Sequence, residues 1–241
     1  MDKISIIIPI LLHNEFLSKM TVACLSNIRE YTYPNETEII IIHNQSQLGD
    51  FDPTKELRPW DIYLPQKDVN LRVGKSLNLG IEAATTDYLC VLANDVMVGR
   101  DCLQKMKETL DDNKLDIVQA WLRRYGREIY DETVKNCSKD SVCLATFSES
   151  GGSCSMFKRE TYEKIGAFDE NLFVRCDRDY LYRMEMLGMR ERCGINVDAQ
   201  ATHLGSMTWI EKVKPEKIMG FSIDAGEYAD TLYLQEKYGK S

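Results

Sequence analysis

An α/β fold, with a mostly parallel central sheet flanked by helices, is what this sequence predicts, and three observations carry the expectation. Short β-branched runs, clearest at 4–9 and 38–42, have the continuous apolar character of strands covered on both faces. Between such runs lie segments whose apolar residues recur every three or four positions, the period of a helix packed on one side. The two kinds of segment alternate through the first half of the chain, and β-α-β order of this kind builds parallel sheets. The second half is less regular and suggests a smaller sheet or lobe on one side of the main one.

Taken in order, Ile4 to Pro9 is the first strand, and Asn14 caps a helix whose buried stripe is Leu17, Met20, Cys24 and Ile28. Glu38 to Ile42 is the second strand and ends in the turn-like His43-Asn44-Gln45-Ser46, while Tyr63 and Leu64 belong to a third. Val73, Leu77, Ile81 and Ala84 mark a second helix, and Tyr88 to Leu92 a further strand. A helix bearing Leu103, Met106 and Leu110 and a strand over 116–121 complete the first half. After the polar stretch 124–141, strands at 142–147 and 153–157 flank the turn Ser150-Gly151-Gly152. A short helix from Arg159 to Ile165 is closed by Gly166, and another runs from Asp177 to Gly188. A last strand spans 194–203, and the tail from Pro215 to Tyr238 is helical. No linker rich in Pro, Gly or Ser interrupts the chain, so 1–241 reads as one domain: a first half 1–122, a second half 123–210 and a helical tail 211–241.

Composition excludes several function classes. With 44% hydrophobic and 28% charged residues the chain has material for a sizeable core, which rules out disorder as its main state. The net charge of -8, with no basic block beyond Arg123-Arg124, leaves no electrostatic footprint for nucleic acid. A small anion held by a metal or by backbone amides is still compatible with that charge, because net charge describes the far field and not a pocket. The eight cysteines (24, 90, 102, 137, 143, 154, 176 and 193) contain no C-x-x-C and no paired ligand spacing, so structural zinc is not expected. No signal peptide precedes the first strand and no run approaches about 18 apolar residues, so a reduced, cytoplasmic chain without a transmembrane segment is expected. Contact with a membrane surface would come only through a lipid-linked acceptor.

In an open α/β sheet, ligands bind beyond the carboxyl ends of the strands. That rule selects 10–14, 43–46 and 93–96. Asp95 follows a buried strand directly, where a carboxylate serves either as a turn or N-cap residue before the next helix or as a cation ligand. His203 also follows a strand, as a satisfied loop histidine or as a partner of such a carboxylate. Imidazole and carboxylate together suit a divalent ion such as Mn²⁺, with diphosphate oxygens and water completing the shell. Asp177 and Asp179 stand where carboxylates favour a helix N-terminus, and Asp179 has the i,i+4 spacing to pair with Arg183. Either aspartate also suits a general base at the rim of a cleft.

The order of these features resembles the GT-A fold glycosyltransferases of family 2, inverting enzymes that use nucleotide sugars. The matching segments are SIIIPI, then EIIIIHNQS where the family has a strand ending in Asp-Asn-x-Ser, then NLRVGKSLNLGIEAATTDYLCVLANDV leading to its D-x-D motif. GGSCSMFKRETYEKIGAFDENLFVRCDRDYLYR is similar to the acceptor-side block, and THLGSMT to the segment carrying a metal-binding His. The resemblance implies that Asp95 is the last D-x-D carboxylate and His203 the second protein ligand of Mn²⁺ or Mg²⁺. It makes Asp177 the base toward the acceptor hydroxyl of a glycan, lipid-linked or protein acceptor. Pro9, His43, Asn44 and Asn94 would line the nucleotide-sugar donor, and Asn78 would brace the loop near the diphosphate. Gly151, Gly152, Phe168, Asp169 and Asp179 would shape the acceptor side. Four positions depart from the pattern. Ala93 replaces the first D-x-D carboxylate, His43 the nucleobase-binding Asp and Cys176 the Glu before the base, and the opening turn is Pro9 to Asn14.

Two other readings are compatible with the residues. A degraded D-x-D suits a non-catalytic nucleotide-sugar or glycan-binding module. A sugar nucleotidyltransferase shares the nucleotide-binding sheet, but the phosphate loop of G-x-G-x-R type is absent after the first strand.

Overall fold

The structure is a computed structural model and describes residues 3–12, 14–32, 36–44, 53–66, 70–124, 142–144, 153–189, 192–204 and 223–239. Four strands of the first half, β1 (Ile4–Ile10), β2 (Thr37–His43), β3 (Ile62–Pro65) and β4 (Tyr88–Leu92), lie parallel in the order β3-β2-β1-β4. β2 and β4 are buried at every position, as strands covered on both faces must be. Pro9 is tolerated in central β1 because the β1–β4 ladder ends at Ile7, leaving only the β2 side paired at that height.

Alternation along each strand sorts the core into two layers. Ile6, Ile8, Ile39 and Ile41 face α1 (Glu15–Tyr31) and α3 (Cys102–Asn113), where Leu17, Cys24, Leu103 and Met106 meet them. Ile7, Ile40 and Ile42 face the other way, into a layer with Leu77 and Ile81 of α2 (Arg72–Ala83) and Tyr180 of α5 (Cys176–Met186). Each fully buried isoleucine side chain contributes roughly 1.5–3 kcal/mol of transfer free energy, so the two apolar layers fix which face of the sheet each helix covers. α1 begins where the sequence places it: Asn14 Oδ1 accepts the Leu17 amide at 2.8 Å.

Beyond β4 the sheet changes character. β8 (Cys154–Lys158) runs antiparallel between β4 and β6 (Ile117–Arg124), and β9 (Cys193–His203) lies parallel to β6. β7 (Val142–Leu144) and β5 (Val96–Val98) pair antiparallel with the two ends of β9. α4 (Arg159–Ile165) ends at Gly166, whose φ of 89° places it in the region that favours glycine. The helical tail is α6 (Ile223–Tyr238). β5 was not anticipated from the sequence, and the expected strand 142–147 is described only over Val142–Leu144. No helix among the described residues is long and apolar enough to cross a membrane.

Candidate active site

The carboxyl ends of β1, β2 and β4 converge on one edge, and β5 brings the end of β9 to the same place. Val96 pairs with His203, and the Leu204 amide donates to the Asp95 carbonyl at 2.9 Å. Two residues 108 positions apart therefore meet: His203 Nε2 lies 3.2 Å from Asp95 Oδ1, with both side chains buried. That is a hydrogen-bond distance, and also close to the roughly 3 Å between adjacent ligands of an octahedral ion with bonds of about 2.1 Å. The donor types, one imidazole nitrogen and one carboxylate oxygen, suit a divalent ion of intermediate hardness. Among the described residues no group of three or more His, Cys, Asp or Glu is arranged to hold a metal, and Asp95 and His203 meet as a pair. Asp95 is not the cap of the following helix; Asp101 occupies that position.

The other donor-side residues sort into two groups. Pro9 is half-buried near the end of β1, and His43 ends β2 with Nδ1 2.7 Å from the Tyr63 hydroxyl of β3. The side chains of Asn44, Asn94 and Asn78 make hydrogen bonds within the protein. Asn44 Nδ2 donates to Ser76 at 3.0 Å and its Oδ1 accepts the Leu71 amide at 3.0 Å, tying the end of β2 to the start of α2. Asn94 Nδ2 donates to Thr21 Oγ1 of α1 at 2.9 Å. Asn78 braces the 168–170 loop: its Nδ2 donates to the Phe168 carbonyl (2.9 Å) and to Glu170 (3.0 Å), while Oδ1 accepts the Phe168 amide (2.8 Å).

Asp177 sits in the first turn of α5, half-buried, with Oδ1 accepting the Arg178 amide at 2.8 Å. It lines a cavity of about 60 Å³ whose other walls include Leu77, Val91, Phe157, Phe168 and Cys176. Burial pushes its carboxyl above the ordinary value, more than the Arg178 amide and the charges of Arg178 and Arg175 lower it. Cys176, the thiol in place of the family's Glu, is 2% exposed; burial and then the neighbouring Asp177 hold it well above a normal thiol. It is uncharged packing and not a reactive group.

α2 packs tightly against this segment. A Cβ on Gly74 would lie 2.8 Å from the Asp169 carbonyl oxygen and 3.4 Å from Cys176 Cβ, so only glycine fits. Arg72 adopts a left-handed backbone (φ 63°), stacks its guanidinium 3.7 Å from the Phe173 ring centre and donates to the Asn171 carbonyl at 3.1 Å. A strained non-glycine residue held by such contacts is typical of functional loops.

The residues expected on the acceptor side are placed as follows. Phe168 is buried and stacks on Tyr180 at 4.4 Å, so it belongs to the core. Asp179 is fully buried. Its Oδ2 accepts from Arg183 Nε at 2.8 Å and lies 2.8 Å from Nη2 of the same guanidinium in an ion pair, and its Oδ1 accepts from Lys237 Nζ (2.8 Å) and the Tyr238 hydroxyl (2.6 Å). Asp169 is held in the same way, with Oδ2 accepting from Lys237 at 2.7 Å and Tyr233 at 2.9 Å. Burial alone would raise the Asp169 carboxyl; Lys237, the Asn171 amide and Tyr233 together bring it down to about 2. Gly151 and Gly152 lie outside the described residues. The side chains that sequence reasoning missed, Asp230, Tyr233, Lys237 and Tyr238, all belong to α6, which carries no local motif.

The model of the glycosyl transferase family 2 matches residues 5–188. No curated protein matches the sequence. Among solved structures, the mannosyltransferase PcManGT from Pyrobaculum calidifontis, determined in complex with GDP-Man and Mn²⁺, superimposes with a TM-score of 0.66 at 19% identity. The alignment covers 96% of this chain and 64% of that one, so the chain spans less than two thirds of its length. The curled, mostly parallel sheet with flanking helices is thus the GT-A architecture, and the chain belongs to glycosyl transferase family 2.

Proposed function

We propose that this chain transfers a sugar from a nucleoside-diphosphate sugar to a hydroxyl of a glycan, lipid-linked or protein acceptor with inversion, using Asp177 as general base. The observation that carries the reading is the meeting of Asp95 and His203 at the carboxyl edge of the sheet, and Asp177 stands in the first turn of α5 on the wall of a cavity. The relative with GDP-Man and Mn²⁺ supports the donor class and the type of ion. Asp95 and His203 would hold Mn²⁺ or Mg²⁺, which when bound neutralises charge on the diphosphate.

The steps assigned to the chain's own residues are few. Asp177 Oδ accepts the proton of the acceptor hydroxyl as that oxygen forms a bond to the anomeric carbon. The bond from that carbon to the diphosphate oxygen breaks on the opposite face, and the electron pair leaves with the nucleoside diphosphate. A carboxyl whose affinity for protons is raised by apolar walls is a stronger base than an exposed one. Pro9 and the His43–Tyr63 pair would border the base of the donor, with His43 in place of the family's Asp.

The test is Asp177→Asn assayed with a panel of nucleotide sugars. Loss of transfer with nucleoside-diphosphate binding retained supports the assignment, and full activity removes it. Release of pyrophosphate in place of a nucleoside diphosphate would favour nucleotidyl transfer, and retained anomeric configuration would contradict inversion.

A further inference from the structure

Asp230, in the middle of α6, is 1% exposed, and its carboxylate accepts three consecutive backbone amides. Oδ1 takes Phe173 at 2.8 Å, and Oδ2 takes Val174 at 2.8 Å and Arg175 at 3.0 Å. Amides converging in this way form an anion-binding nest, and bonds to an ionised acceptor are roughly twice as strong as neutral ones. The nest lies directly before the proposed base. Arg175 is the N-cap residue of α5, and its carbonyl accepts the amides of Arg178 (3.1 Å) and Asp179 (3.2 Å) that open the helix. Val174 shares the cavity wall with Asp177.

The remaining contacts of α6 fall on either side of the same segment. Tyr233 and Lys237 hold Asp169 ahead of it, and Lys237 and Tyr238 hold Asp179 behind it. One helix thus fixes three points of the chain, at 169, 173–175 and 179, and Asp177 lies between the last two.

We propose that Asp230 is a positioning residue for sugar transfer: an anion supplied by the chain itself that sets the 173–175 backbone, and through it the direction in which Asp177 presents its carboxylate. This rests on the assignment of Asp177 as the base. Asp230 does not touch the reacting atoms. Its effect falls on the rate of the chemical step and not on donor binding, because Asp95 directly precedes β5 and His203 ends β9, away from the contacts of Asp230.

The experiment replaces the anion. In Asp230→Ala the amides of 173–175 exchange hydrogen faster than in wild type. Formate, titrated at constant ionic strength against chloride, slows that exchange and raises the melting temperature of the variant but not of wild type. With an active donor and acceptor pair, kcat of Asp230→Ala falls on the order of a hundredfold, the usual consequence of a misplacement near 1 Å. Nucleoside-diphosphate affinity stays within about twofold, and formate restores part of the rate. Asp230→Asn keeps the shape and serves if the alanine variant does not fold; it lowers kcat with donor affinity intact. The proposal is overturned if formate leaves exchange and melting unchanged, if kcat of the folded variants equals that of wild type, or if donor affinity falls as far as kcat. Failure of the wild-type chain to transfer from any donor would count against the glycosyl-transfer reading, whereas exchange and melting decide the nest by themselves.

Discussion

Asp179→Asn separates an acceptor contact from a structural clamp. Asp179 is fully buried and receives four polar contacts of 2.6–2.8 Å, from Arg183 Nε and Nη2, Lys237 Nζ and the Tyr238 hydroxyl. Breaking a buried ion pair by neutralising one partner costs roughly 3–5 kcal/mol, because the other charge is left uncompensated. Here both cations keep a second partner: Arg183 donates to the Ile165 carbonyl at 2.9 Å, and Lys237 stays on Asp169 at 2.7 Å. The cost therefore falls near the lower end, about 3 kcal/mol. For a chain of this length each kcal/mol corresponds to roughly 2–4 °C, so the melting temperature should drop by about 6–12 °C in a calorimetric scan. At a temperature where the variant is folded, the KM for acceptor should stay near the wild-type value. A drop of under about 2 °C accompanied by a tenfold higher acceptor KM would refute the clamp and restore the acceptor-facing role.

Acid should loosen the same region. The Asp169 carboxyl is depressed to about 2, so its contribution to stability is complete above the ordinary value near 3.8 and is lost as pH falls through about 2. After allowance for solvent at the partly exposed Lys237 this amounts to about 1–2 kcal/mol, and in Lys237→Met the fall in melting temperature between pH 4 and pH 2 should be shallower. Asp177 shifts in the opposite direction, so the acid limb of transfer should lie at higher pH than that of an ordinary carboxylate; a limb at or below 3.8 in a kcat profile speaks against it. Gly74→Ala should be destabilising by about 1–3 kcal/mol despite alanine's better helix propensity, since its Cβ would press on the Asp169 carbonyl; a more stable variant in urea titration contradicts that packing. With Mn²⁺ and a nucleoside diphosphate at about a hundred times Kd, wild type should gain about 2.7 kcal/mol, and Asp95→Ala or His203→Ala should lose most of that thermal shift.

How much of this was legible depended on the range of the signal. β1, β2 and β4 are visible because a strand covered on both faces is apolar without interruption, and α1 because Leu17, Met20, Cys24 and Ile28 repeat at the helical period. β5 is only Val96–Val98, too short for any pattern, yet its pairing with β9 is what joins Asp95 to His203. The rule that ligands bind at strand ends found both of those residues. It could not tell an asparagine that faces a ligand from one that ties two elements together, because the partners of Asn78 and Asn94 lie some 70–90 positions away. Asp230 is further hidden: its partners are backbone amides, which any sequence supplies.

The surroundings of the carboxylates in this acidic chain support the proposal that Asp177 is the one that accepts a proton. Four aspartates, 169, 177, 179 and 230, lie on or are tied to the segment that leads into α5, while Asp95 stands at the sheet edge, and like charges held close need partners of their own. Asp95 faces an imidazole, Asp169 and Asp179 share the Lys237 ammonium, and Asp230 is enclosed by amides. In each of these arrangements the carboxylate oxygens already have protein partners. Asp177 has one amide on Oδ1 and the apolar walls of the cavity beside it, and its carboxyl moves up where that of Asp169 moves down. Neighbouring carboxyl groups pushed in opposite directions divide the roles between them. The neutral thiol of Cys176 leaves Asp177 as the one carboxylate on the cavity wall among the described residues, whereas a glutamate there would add a second in a buried position.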